Sequence, residues 1–297
     1  MTVKGKKKAI RLNRLDLILL IILTAGVALL VNHISSSLNY RWNWAVIPQY
    51  FFRYDQSLQS WVPNLLVQGI LTTIRISIWS SILALILGTV MSLMIRSKSL
   101  YLRLIGQTYV ELVRNTPPLV LIFLFYFFFG NQIMTWLNVD GFLAGRSETT
   151  AKILTLLFAP KAHFSAFLSA LLTMAIYEGA YFTEIIRAGL DAVPKGQWEA
   201  ADSLGLSVRD KYQHVVLPQA FRTILPAMTG QFISTIKDSA IVSVISIQEL
   251  TFQGMELMSA TYLTFEIWIT ITLVYFCLTF SCSLAARWLE KKMMTHK

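Results

Sequence analysis

Six stretches of this chain are apolar for long enough to enter a lipid bilayer, and that excludes most folds before any motif is read. They cover residues 15–31, 70–95, 117–129, 164–186, 226–245 and 265–286. A spanning helix needs about 20 mostly apolar residues. Backbone polar groups in hydrocarbon must be satisfied within the segment itself, so runs of this kind are α-helices. The third run is short, and residues 105–113 are expected to extend it toward the cytoplasm. Hydrophobic residues make up 55% of the chain and charged residues 14%, with a mean hydropathy of +0.56, which is too apolar for an ordinary soluble domain. The expected fold class is an all-α polytopic membrane protein with six transmembrane helices.

The formal charge of +10 invites a nucleic-acid partner, but its distribution points elsewhere. With the N-terminus inside, nineteen Lys and Arg fall on cytoplasmic segments: six in 1–14, four in 96–114, five in 187–222 and four in 287–297. Only Arg41, Arg53, Arg146, Lys152 and Lys161 fall outside. This is the positive-inside pattern, and it puts both termini in the cytoplasm. No groove of interleaved basic and aromatic residues is present, so no nucleic acid is expected and the surrounding partner is membrane lipid. Lys4, Lys6, Lys7 and Lys8 ahead of the first run resemble the start of a signal peptide. That run is longer than a usual signal core and lacks a small-x-small cleavage site, so an uncleaved anchor is expected.

Catalytic machinery is not legible. Cys277 and Cys282 lie about 140° apart around the last apolar helix and read as small, buried apolar residues. His33, His163, His214 and His296 have no metal-ligand spacing. The chain contains no Gly-x-x-x-x-Gly-Lys-Ser/Thr phosphate loop, no His-Glu-x-x-His pair and no nucleophile with a base at catalytic spacing. The expectation is a non-enzyme with no cofactor of its own.

Between the fourth and fifth runs lies a polar, amphipathic island, Glu199-Ala200-Ala201-Asp202-Ser203-Leu204-Gly205, followed after nine residues by Val215-Val216-Leu217-Pro218. Two small alanines let a short helix lie close to a partner surface. Gly205 permits a sharp chain reversal and Pro218 suits the first turn of the next helix. The element closely resembles the EAA signature of membrane subunits of ATP-driven ABC importers, with Val215 in place of the usual Ile. Pro194-Lys195-Gly196-Gln197 before it and Gln219-Ala220 after it are similar to the polar amino-acid branch, the histidine, glutamine and general L-amino-acid permeases. Three further segments resemble that family: Glu111-Leu112-Val113-Arg114-Asn115-Thr116-Pro117-Pro118, Tyr181 to Arg187, and Lys237-Asp238-Ser239 with the residues up to Ile245. Glu111 with Arg114, and Glu184 with Arg187, are three apart on one helix face and are expected to pair.

Ionisable residues inside apolar helices are expensive and are by default candidates for a translocation path. Arg75, Glu178, Glu184, Lys237 and Asp238 qualify, and Ser239 joins them through the resemblance. Glu178, near the middle of its helix, suits an ammonium group and Arg75 a carboxylate. The competing reading for both is a buried polar contact between helices.

The resemblance implies a type I ABC importer core of five helices in residues 63–297, preceded by a tail, anchor helix and aromatic outer segment in 1–62. It implies a cytoplasmic coupling loop at 188–218, in which Glu199, Ala200, Ala201, Gly205, Leu217 and Pro218 meet a separate ATPase that binds the ATP and Mg. The other implied partners are a second permease subunit and an extracytoplasmic amino-acid-binding protein, at a bacterial inner membrane. The rival is a stand-alone ion-coupled transporter, disfavoured because the two halves show no internal similarity.

Overall fold

The computed structural model describes residues 13–37 and 40–294. The basic stretch 4–8, expected in the cytoplasm, and residues 295–297 lie outside the described residues. The chain divides into two compact units, 1–44 and 45–297. In the first, α1 (Arg14–Ser37) is a 24-residue helix whose Leu17, Ile18, Leu19, Leu20, Ile21 and Ile22 are all exposed. Apolar side chains on every side are what a helix in lipid requires. Beyond it Trp42 stacks on Trp44 at 5.9 Å.

The second unit opens with the short α2 (Pro48–Phe51) and a two-stranded antiparallel hairpin, β1 (Phe52–Asp55) with β2 (Ser60–Pro63), in which Tyr54 pairs with Trp61. At the hairpin turn, hydrogen bonds from the side chain and backbone of Ser57 hold the Asp55 carboxyl below its usual range. α3 (Leu65–Ile95) follows, then α4 (Leu100–Asn115) and α5 (Pro118–Leu124), which continues through a π-helical turn, Phe125–Gly130, into α6 (Asn131–Trp136). α7 (Val139–Ala144) and α8 (Glu148–Leu157) precede α9 (Phe164–Asp191). The remainder is α10 (Lys195–Ser203), α11 (Val208–Asp210), α12 (Leu217–Asp238), a 3-10 turn Ser239–Ile245, α13 (Leu250–Thr261) and α14 (Thr264–Met294).

Four helical stretches among the described residues are long and apolar enough to cross a membrane: Leu65–Ile95, Pro118–Trp136, Lys161–Asp191 and Thr264–Lys292. With the 24-residue α1 and the 22-residue α12 they make the six helices expected. α12 is less apolar because it carries Gln231, Thr235, Lys237 and Asp238.

Three boundaries differ from the sequence reading. Residues 105–113 do not extend the third span. They belong to α4, an amphipathic helix that stops at Asn115 because Thr116 is extended ahead of Pro117, as a residue before proline tends to be. The fifth run does not start at Pro226. The helix begins at Leu217 and carries Pro226 in its interior. The third span does not end at 129: it continues through Gly130 into α6 as far as Trp136, and α7 and α8 follow before α9.

α3 and α9 form the central pair. The buried stripe of α3 runs Thr73, Ser77, Ser80, Ser81, Ala84, Gly88, Ser92, and α9 presents Ser169, Ala170, Thr173 and Ala180 among its buried residues. Small residues let helix backbones approach closely in a membrane. The approach is tight at Gly88, where an added Cβ would stand 2.7 Å from Phe182 Cβ. Around this pair, Ile76, Ile122, Phe167, Met174, Val242 and Ile245 make one core cluster. Ile47, Leu66, Leu250, Leu257, Ile267 and Ile271 make another, onto which Tyr50 and Phe51 of α2 pack.

Candidate functional site

The polar island folds as a helix, a sharp reversal and a return. Pro194 precedes the first turn of α10, and the helix ends at Leu204 with Gly205 in the left-handed conformation at φ +66°. Leu206 N–H donates to Ala201 O at 3.2 Å and Gly205 N–H to Asp202 O at 3.0 Å. This is a Schellman cap with glycine at the one position where an L side chain is strained. Ser207 then caps α11 through Asp210 N–H, and the chain returns through a π-helical turn, Lys211–Val216, into α12, where Pro218 occupies the first turn.

The loop is anchored from beneath. Val193, Val216 and Ala220 are buried with Ile186, Leu190 and Ile224, and Trp198 and Tyr212 pack edge to face against that cluster, 5.4 Å apart. Ala201 is 2% exposed. Lys211 pairs with Asp202 across the reversal, and Gln219 Nε2 donates to Gln197 Oε1 at 3.1 Å. Arg96, at the end of α3, pairs with Asp191 and lies 5.6 Å over the Trp198 ring. Glu199, Ala200, Gly205, Leu217 and Pro218 all face outward, beside Leu204 at 78% and Val208 at 69% exposure. The result is a stiffly held tip with small, apolar and acidic groups available to a partner.

A second tie lies behind the loop. Arg187 donates to both carboxylate oxygens of Glu184, at 3.1 and 2.7 Å, which is the pair expected from their spacing. Glu111 and Arg114 do not pair. Glu111 accepts from Asn115 at 2.6 Å, while Arg114 reaches Glu184 at 3.5 Å and lies over the Tyr181 ring. One carboxylate therefore joins α4 to α9.

Within the membrane region, Lys237 and Asp238 border a depression of about 360 Å³ together with Pro118, Tyr177, Ala240 and Ile241. Glu178 is 0% exposed. Its Oε2 accepts from Gln231 of α12 at 2.8 Å, and its Oε1 has no partner. The hydroxyl of Ser239 is buried and donates to Ile236 O at 2.8 Å. Arg75, half-buried on α3, does not line this depression.

Sequence reasoning missed Glu249. It is buried at the N-terminus of α13, where Oε1 accepts Phe252 N–H and Oε2 accepts Thr251 N–H and Tyr275 O–H, each at 2.8 Å, with Thr73 Oγ1 at 3.4 Å. Glutamate is outside the usual set of cap residues, so only its position just ahead of an apolar helix hinted at the role. Among the described residues no cluster of His, Cys, Asp and Glu fits a metal ion.

Residues 84–295 match the family described as the inner membrane component of binding-protein-dependent transport systems. The probable glutamine ABC transporter permease protein GlnM of Bacillus subtilis (strain 168) is 30% identical, over 77% of this chain and 94% of its own length. The L-cystine transport system permease protein TcyB of the same organism is 32% identical, over 81% and 91%. A crystal structure of an amino acid ABC transporter with histidines superposes with a TM-score of 0.65 at 30% identity, covering 85% of this chain and 100% of that one.

Proposed function

Because this chain belongs to the family of inner membrane components of binding-protein-dependent transport systems, we propose that it imports polar amino acids as half of a two-fold permease. ATP binding and hydrolysis occur on a separate ATPase, whose movement enters through α10 and the residues to Pro218 and switches the helix bundle between outward and inward openings. An extracytoplasmic binding protein delivers the cargo. The observation that carries the reading is the anchored tip: a buried underside at Val193, Ala201 and Val216 beneath an outward row of Glu199, Ala200, Leu204 and Gly205. The cargo class rests on the glutamine, cystine and amino-acid transporters to which the chain is similar. Co-purification of an ATPase subunit, followed by ATP-driven amino-acid uptake in proteoliposomes with the binding protein present, tests it. A chain that transports without any ATPase overturns it.

The proposed path takes in Arg75, Glu178, Lys237, Asp238 and Ser239, of which Lys237 and Asp238 reach the open depression. A cation and an anion side by side suit the carboxylate and ammonium groups of an amino acid. Glu178, fully buried, is held by Gln231 of α12 and lies away from the open depression. Glu178→Ala leaves the Gln231 amide unpaired and is expected to lower stability by about 1–3 kcal/mol, with uptake per folded complex close to wild type. Thermal unfolding and per-complex uptake measured together decide this. Altered amino-acid preference at unchanged stability places the carboxylate in contact with cargo.

Both termini are expected in the cytoplasm, on the distribution of Lys and Arg. A phosphatase reporter, active only outside, should be silent when fused after Lys297, and activity there would show an odd number of spans.

A further inference from the structure

Two cavities on the second unit share a wall residue, and one is apolar while the other carries charge. The first is an apolar groove of about 440 Å³ where α3, α9, α12 and α14 come together, walled by Ile82, Phe182, Leu225, Phe232, Cys282 and Ala286. The second, about 370 Å³, lies between the start of α12 and the end of α14. There Phe221 and Leu225 face Arg222, Gln213 and Glu290. Leu225 lines both. Thr229, in the groove wall, donates to Glu290 Oε1 at 3.0 Å, so the wall of the groove adjoins the charged end.

Arg222 and Glu290 stand on the same small cavity, yet neither makes an ion pair among the described residues. A guanidinium recognises a phosphate through paired N–H donors, and a carboxylate recognises an ammonium. An apolar groove with no charged wall accepts alkyl chain. We infer that α12 and α14 hold an ethanolamine phospholipid of the inner leaflet, with an acyl chain in the groove, the phosphate on Arg222 and the ammonium on Glu290. The choice of leaflet rests on the cytoplasmic placement of the coupling loop proposed above, since Leu217 and Pro218 line the charged end. The choice of lipid rests on the two unpaired charges.

The test is native mass spectrometry of the assembled permease and ATPase, delipidated and then titrated with palmitoyl-oleoyl phosphatidylethanolamine, phosphatidylcholine or phosphatidylglycerol. Phosphatidylethanolamine should be retained in preference to the others. Arg222→Gln should weaken retention of all three by about tenfold, the loss of one charge-assisted contact. Glu290→Gln should abolish the preference but keep binding, and Ala286→Trp, which fills the groove, should prevent it. Glycerophosphoethanolamine, the headgroup without chains, should not displace the lipid. Displacement by it, equal retention of the three lipids, or retention unaffected by Arg222→Gln and Ala286→Trp overturns the proposal. A photocrosslinker at residue 286 that joins two permease chains also overturns it, because the groove is then covered by a second copy. The same spectra report whether the ATPase is bound, so failure of the transporter assignment is visible separately.

Discussion

Replacing Gly205 with arginine is expected to abolish ATP-driven uptake while the subunit remains in the membrane. The position has φ +66°, and a Cβ there would meet nothing within 4 Å, so the chain itself has room for a side chain. What opposes the change is backbone strain of about 1–2 kcal/mol in the left-handed region, together with a cation thrust between Leu204 and Val208 at the most exposed part of the tip. The strain alone is survivable. A charge without a partner in a closing interface costs several kcal/mol more, enough to prevent docking. Gly205→Ala separates the two causes, because it carries the strain without the charge, and should retain most of the uptake. Wild-type transport by Gly205→Arg in proteoliposomes would sink the assignment of this tip to ATPase docking.

Glu249→Ala is expected to cause the largest loss of stability of any single change considered. The carboxylate accepts from two backbone N–H groups of its own helix and from Tyr275 O–H on α14, and it lies near Thr73 of α3. Each buried donor left unpaired costs about 1–3 kcal/mol, so truncation should remove about 3 kcal/mol or more and sharply reduce the folded yield in detergent. Tyr275→Phe, which deletes a single donor while Thr251 remains nearby, should cost about 1 kcal/mol. If Glu249→Ala unfolds at the wild-type temperature, Glu249 is not what joins α3, α13 and α14.

Helix number and the coupling element were legible for physical reasons that operate locally. Long apolar runs have one solution in lipid, and the Gly205 and Pro218 spacing dictates a cap and a first turn whatever surrounds them. Pro226 misled because proline reads as a helix start, whereas a membrane helix packed among its neighbours carries it in its interior. Arg114 was assigned to Glu111 on spacing, but the broken chain at Thr116 turns α4 so that Glu184 lies within its reach. Arg96 over Trp198 and Glu249 beneath Tyr275 depend on residues far apart in sequence, and no window along the chain contains them.

The bond from Arg96 to Asp191, with Trp198 of α10 under the guanidinium, ties the end of α3 both to the end of α9 and to the tip. α3 has 31 residues and at 1.5 Å per residue is about 46 Å long. It is held at this end by Asp191 of α9 and Trp198 of α10 and is packed along α9 for much of its length. A sideways push on the tip therefore acts on the end of a stiff rod and not on a flexible strap. On the proposed function, displacement of the tip is passed to α3, whose far end backs onto Leu250 at Gly69.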